Sequence, residues 1–418
     1  MLNKIFSLYQ KAYADLPKKV WFLAFILLIN RSGAMVIPFL TVYLTVDKGY
    51  SAASASWIMV AFGMGGVVGN YVGGLLNDLF GSWHIQLFSL IGSGLLFILL
   101  GQVDDYALFC VTIFFLSVVA DSFRPANRAA VAAYSEPRLL TQSFGLLRMA
   151  VNLGFSIGPL VGGFVIGFFS YETLFWVDGI TCVLSGFAFL FLLPKDHTAR
   201  PPVPEPVDAL DSPLPAPRSK PGLKQGWLVT ICVANVLVAM CFFQLFSTVP
   251  VYLEQMSYTA IQIGLIFTFS GTIIVLFEMP LLFVAEGRYS PLQVLIFGSA
   301  LIGLSYFTLP LAIVSGMWAI LIFVTLLSIG EMLYMPFGNT YVTQNAPLER
   351  RGEYLGILSA SYSLAFVLSP VIGLNAGDLI GFDLATYLLA GLGSLGSLII
   401  YNEYRKRVGR KVARGMIN

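Results

Sequence analysis

The chain has 418 residues, of which 57% are hydrophobic and 11% charged, and a net charge of +2. Soluble domains carry about 25% charged residues, so a water-solvated globule is excluded and lipid must solvate much of the surface. The small net charge gives no basis for binding nucleic acid. The four cysteines lie singly in apolar runs, and both histidines, His84 and His197, fall in predicted loops. Neither a disulfide frame, a metal site, another cofactor nor an intramembrane histidine relay is expected.

The N-terminal stretch MLNKIFSLYQKAYADLPKKVWF is no secretory signal, because charged clusters precede the apolar run and no small-residue cleavage site follows it. It reads as a short interfacial helix or a plain tail. Twelve runs are then long and apolar enough to span a membrane: 19–45, 54–76, 84–102, 106–130, 141–168, 172–194, 226–254, 261–285, 291–310, 314–341, 353–376 and 383–402. The first contains FILLINRSGAMVIPFL, residues 25–40, with Asn30 and Arg31 near its middle. An arginine at that depth costs roughly 2.5–3.5 kcal/mol on insertion scales, so it needs a purpose.

Lysine and arginine sort strongly between the two sets of loops. One set holds Lys18, Lys19, Arg138, Lys195, Arg200, Arg288, Arg350, Arg351 and the tail YRKRVGRKVARG; the other holds Lys48 among seven acids. The positive-inside rule puts both termini and the middle loop in the cytoplasm. That loop is rich in proline and charge and reads as an extended tether. The expected organisation is a six-helix bundle over 1–194, a cytoplasmic linker over 195–224, a second six-helix bundle over 225–404 and a basic tail over 405–418. With short loops, this describes a multi-pass carrier of the inner (plasma) membrane.

The halves repeat each other. A shift of 211 residues superposes Pro125 on Pro336, Gly145 on Gly356, Pro159 on Pro370 and Gly162 on Gly373. Earlier in the chain a shift of 209 brings Tyr43-Leu44 onto Tyr252-Leu253, and one of 208 brings Asp78 onto Glu286. Two like halves with their termini on one side imply a pseudo-two-fold axis along the membrane normal and a cavity near the midplane. The fold class expected is therefore an all-α membrane protein with 12 transmembrane helices in two pseudo-symmetric six-helix bundles around a central cavity.

The fifth run reads GLLRMAVNLGFSIGPLVGG, residues 145–163. Gly154, Gly158 and Gly162 form one helical stripe that lets a neighbouring helix approach closely, and Pro159 can bend the helix. With Gly145 and Gly163, the spacing resembles the antiporter motif of the major facilitator superfamily, associated with its drug:proton antiporter branches. The loop GGLLNDLFGSWH resembles the superfamily's loop motif through Gly74, Asp78 and Gly81, with Ser82, Trp83 and His84 where basic residues are usual. Arg124 stands where the family often has a span-4 arginine. The resemblance implies two six-helix bundles, alternating access, proton coupling and a gating or sealing role for the span-5 stripe.

Intramembrane ionisable residues are costly and functional by default. They are Arg31, Asp121, Arg124, Arg128, Arg148, Asp178, Glu278 and Glu331. Asp121 and, one register step from its repeat-mate, Glu331 place an acid on the fourth span of each half, and with Glu278 they are the proton-coupling candidates. Asp121 with Arg124 can equally be a permanent structural pair. For Asp178, nearer the outer end, and for Glu278, helix-packing or rim roles are at least as open as transport. Arg31 is expected to line the cavity, held by Asp121, Glu331 or a substrate carboxylate. Asn30, Arg124, Arg148, Asn152, Gln244 and Tyr334 complete the candidate lining.

The leading reading is a proton-coupled antiporter exporting small amphiphilic molecules, a monomer whose partners are substrate, protons and lipid. The alternative is a proton-coupled carrier of short peptides or organic anions with Arg31 as carboxylate clamp. A receptor or scaffold would need neither the repeat nor buried acids. No nucleophile–base pair, metal ligand set or phosphate loop argues for an enzyme.

Overall fold

The computed structural model describes residues 16–136, 139–193, 195, 224–285, 288–347 and 351–413. Among the described residues, twelve helical spans are long and apolar enough to cross a membrane. Spans 1 to 6 are Lys18–Asp47, Ala52–Asn77, Ser82–Leu100, Tyr106–Tyr134, Gln142–Phe168 and Tyr171–Leu192. Spans 7 to 12 are Gly226–Phe246, Ala260–Glu278, Pro291–Ser315, Met317–Asn345, Tyr354–Ile380 and Phe382–Gly409. They coincide with the twelve predicted runs, differing most at the far ends of spans 7, 8 and 12. No strand occurs among the described residues. The N-terminal segment, nearly all of the linker, Glu286 and the Asp78 side chain lie outside the described residues.

Local chemistry starts several spans. The Asp105 carboxylate accepts from Leu108 N–H at 2.8 Å ahead of span 4, and the Ser170 hydroxyl accepts from Thr173 N–H at 3.4 Å ahead of span 6. Ser290 and Gln293 form a reciprocal capping box around Pro291 at the head of span 9. Each cap satisfies an orphan helix donor and contributes about 1 kcal/mol.

Two compact units emerge: residues 1–37 with 61–212, and residues 38–60 with 213–418. Within each, small residues bring helices together, since lipid offers no hydrophobic drive between them. In the first unit a Cβ on Gly94 of span 3 would lie 2.7 Å from the Gly179 carbonyl oxygen of span 6, and the reverse holds at the same distance. In the second unit Gly303 of span 9, 209 residues after Gly94, meets Gly393 of span 12 in the same way. The internal repeat is thus a repeat of packing.

Among the described residues, four spans read as continuous runs are broken, span 9 only near its end, where the 3₁₀ turn Leu309–Leu311 separates Pro291–Thr308 from Ala312–Ser315. Span 1 is helical over Lys18–Ser32, passes through Gly33, Ala34 and Met35, and restarts at Val36–Val42 before a wider turn at Tyr43–Asp47. Span 4 breaks at Ser122, between Tyr106–Asp121 and Phe123–Tyr134. The helix opening span 7, Gly226–Phe243, is followed by a 3₁₀ turn and the helix Thr248–Gln255. In spans 1, 4 and 7 the restart lies two residues before a proline: Pro38, Pro125 and Pro250. A proline has no N–H and clashes with the carbonyl four residues back, but is tolerated in a first turn, where N–H groups have no helical partner. Hydropathy does not register such a break, because the residues around it stay apolar.

Candidate functional site

The break in span 1 has a charged side chain at each broken end. Arg31 sits in the last turn of the Lys18–Ser32 helix. Beyond the break, Asp178 Oδ2 of span 6 accepts from Met35 N–H at 3.3 Å and Val36 N–H at 3.1 Å. Asp178 is 1% exposed. A cation at a helix C-terminus and an anion at a helix N-terminus both oppose the local dipole charge. The break is therefore compensated on both sides, which gives the intramembrane arginine a physical reason.

Span 6 supplies more than the carboxylate. Asn30 Nδ2 donates to Cys182 Sγ at 3.3 Å, and a Cβ on Gly33 would overlap the Thr181 side chain. Asp178, Thr181 and Cys182, three and four residues apart, present one helical face to the break.

Span 5 closes on the break from another side. A Cβ on Gly154 would overlap the Arg31 Cβ, and one on Gly158 would lie 3.1–3.3 Å from the carbonyl oxygens of Ala34, Arg31 and Ser32. Gly154, Gly158, Pro159, Gly162 and Gly163 are buried and Gly145 half-buried. The Arg31 guanidinium lies over the Phe155 ring, 5.7 Å from its centroid. The charged or ionisable groups acting on it are Arg124, Asp121, Cys182 and Asp178.

Asp121 is not the ion-pair partner of Arg31. Its carboxylate pairs with Arg124 Nε at 2.8 Å on the same span, across the break at Ser122, and abuts Gly66 of span 2. Arg31 has no carboxylate in salt-bridge range among the described residues. Asn152 is half-buried and Arg148 exposed, each engaged with a neighbour. Of the loop motif, Gly81 has a φ of 81° and turns span 2 into span 3, a conformation that favours glycine. Open space surrounds Gly74.

The second unit builds the same joint with different chemistry. Met240, 209 residues after Arg31, and Ala365, 211 residues after Gly154, lie with Ala239 in one buried cluster. Gln244 is fully buried; its Nε2 donates to the Ser369 carbonyl at 2.8 Å and its Oε1 accepts from the Ser247 and Thr248 hydroxyls. Tyr306 Oη donates to the Cys241 carbonyl at 2.6 Å. Neutral hydrogen bonds thus close this break where charges close the other. Glu331 is half-buried near Tyr362, beside the buried Tyr334, and Glu278 is buried; both acids are engaged. The far part of span 1 belongs to this unit: Thr41 Oγ1 donates to the Ser247 carbonyl at 2.8 Å and Phe39 meets Phe267 at 6.5 Å.

The Major Facilitator Superfamily model matches residues 20–291 and 258–416. The chain belongs to that superfamily. Three relatives within or beside it are similar over nearly their full lengths. The MFS-type transporter YqjV of Bacillus subtilis (strain 168) is 26% identical, covering 95% of this chain and 96% of its own. The Na(+), Li(+), K(+)/H(+) antiporter of Planococcus maritimus is 21% identical, covering 91% and 94%. The quinolone resistance protein NorA of Staphylococcus aureus is 24% identical, covering 94% and 98%. Among solved structures, a POT family transporter in complex with 5-aminolevulinic acid superposes with a TM-score of 0.77 at 15% identity, over 93% of this chain and 96% of that one. The superfamily fold is thus shared well beyond the reach of sequence identity.

Sequence reasoning placed Asp178 among the intramembrane acids but not among the site residues. The signal that finds it is RSGAMVIP, a glycine followed five residues later by a proline, which marks a break whose freed amides need an acceptor.

Proposed function

We propose that the chain, a multi-pass membrane protein and a secondary transporter of the major facilitator type, is a proton-coupled antiporter exporting small amphiphilic organic molecules across the inner (plasma) membrane, as a monomer with both termini cytoplasmic. The observation that carries this reading is the seating of Gly154 and Gly158, the antiporter-like stripe of span 5, on the break of span 1 beside Arg31. A helix with an internal proline, packed without side chains on a discontinuous helix, is a joint that can rock without losing contact. The antiporter and quinolone-resistance relatives support the same reaction class. Protons are carried on intramembrane carboxylates, Asp121 and Glu331 with Glu278, because protonation removes the charge by which a carboxylate holds its partner, as Asp121 holds Arg124. Asn30, Arg31, Arg124, Arg148, Asn152, Gln244 and Tyr334 are the substrate-facing candidates.

A second reading rests on Arg31, a fixed cation without a salt-bridging carboxylate among the described residues. Such a group suits a substrate carboxylate, as in short peptides or organic anions. Sealed proteoliposomes with an imposed pH gradient separate the two. Gradient-driven flux of cationic dyes, insensitive to Arg31→Ala, is the result expected of the drug antiporter. Flux of di- or tripeptides abolished by Arg31→Ala moves the protein to the carboxylate class. No gradient-driven flux of either class overturns proton coupling.

A further inference from the structure

Span 1 crosses from one compact unit to the other between Ile37 and Pro38, directly after the break. The residues on the near side of that crossing, Met35 and Val36, are the two whose amides end on one oxygen of Asp178. On the far side, Phe39 and Thr41 are attached to Phe267 and to the Ser247 carbonyl at the break of span 7. A single buried carboxylate therefore fastens the point at which span 1 changes allegiance.

We infer that Asp178 is a positioning residue for transport, one that converts its own protonation into movement of the 36–47 segment of span 1. This deepens the antiport reading and rests on it. The charged form makes hydrogen bonds roughly twice as strong as the neutral form. Protonation adds one O–H bond at the Asp178 carboxyl, the proton coming from water, with no other covalent change. The two amides are then held by a neutral acceptor, and the anionic compensation of the segment's N-terminus is lost. Arg31, one step before the break, keeps its charge in both states. Asp178 differs from Asp121, whose carboxylate ends on a side chain of its own span: here the acceptor ends on the backbone of a discontinuity.

The groups able to compete are few. Arg31 on span 1 and Cys182 on span 6 face Asp178, and Arg124 and Asp121 act on Arg31. Span 3 presents Ser93 and Gly94 at this level, and its only titratable side chain, His84, lies at its other end. Span 5 carries one ionisable side chain, Arg148, 20 residues before its last helical residue, whereas Asp178 lies eight residues into span 6. At 1.5 Å per residue these are about 30 Å and 12 Å from the shared turn.

The test compares gradient-driven uptake with exchange at equal pH, for the parent, Asp178→Asn and Asp178→Ala in proteoliposomes. Asparagine can still accept both amides through one oxygen but does not titrate. The expected result for Asp178→Asn is gradient-driven accumulation lowered about tenfold, with equal-pH exchange kept and its pH dependence weakened from the parent's. Asp178→Ala loses both. An Asp178→Asn protein with the parent's gradient-driven flux and pH profile overturns the inference and leaves antiport standing. Absence of gradient-driven flux in the parent overturns antiport itself. Should Asp178→Asn fail to fold, Ala34→Cys in the break is labelled with an impermeant maleimide and normalised to the exposed Ser51→Cys. A ratio rising several-fold as pH falls supports the latch, and a flat ratio between about pH 5 and 8 overturns it.

Discussion

Gly154 and Arg31 meet with no room for another carbon: the position a Cβ would take on the glycine is already filled by the Cβ of the arginine. This contact joins the antiporter-like stripe of span 5 to the charged half of the span-1 break. Any side chain at 154 must push span 5 away or turn Arg31 off the Phe155 ring. Gly154→Ala is expected to lower transport several-fold and Gly154→Val to abolish it, with membrane insertion retained, because overpacking typically costs about 1–3 kcal/mol. Gly356→Ala, on span 11 where a Cβ meets nothing, should transport like the parent. Flux normalised to protein in the membrane checks both.

The Asp121–Arg124 pair joins the two segments of a broken span, and the Arg124 side chain is 52% exposed. A pair exposed to this extent contributes about 0–1 kcal/mol, so stability does not account for it. Asp121→Asn is expected to leave the melting temperature in detergent within a few degrees of the parent while reducing gradient-driven flux. Glu331→Gln should act in the same direction. Unchanged gradient-driven flux in both would remove them as proton carriers.

Gln244 is the hub of the neutral joint. Gln244→Leu leaves the buried Ser369 carbonyl and the Ser247 and Thr248 hydroxyls without their partner, at about 1–3 kcal/mol. Gly373→Ala attacks the same hub, since its Cβ would overlap Gln244 Oε1 and Thr248 Oγ1. Each should lower the melting temperature, and the double variant should fall by less than the sum because both act through one set of bonds.

Arg407 closes the far end of the second unit. Its guanidinium lies against the Trp227 and Tyr341 rings, 5.4 Å and 4.9 Å from their centroids. It also donates to Asn345 Oδ1 at 2.6 Å and to the buried Glu403 at 3.2 Å. Arg407→Ala is expected to destabilise by about 2 kcal/mol through the charge-assisted bonds alone. Arg407→Lys should recover less than half of that, since an ammonium lacks the planar fork that stacks and donates at once. Thermal unfolding of the three proteins decides it.

The sequence by itself determined the twelve spans, because length and apolarity in lipid leave the backbone no alternative to a helix. It also determined the repeat, since Pro159, Pro370, Gly162 and Gly373 hold one register. What it did not settle is which proline breaks its helix. Pro159, Pro280, Pro336 and Pro370 lie inside helices that run through them, while Pro38, Pro125 and Pro250 follow breaks. A break in lipid survives only where its freed backbone groups find partners, and those partners come from other helices. Asp178 reaches Met35 and Val36, Ser89 donates to Val119 and Ala120, and Tyr306 donates to Cys241. The depth of Arg31 was legible in the same way and its surroundings were not. Its place at the end of a half-helix, under Gly154 and across the break from Asp178, is a product of tertiary packing.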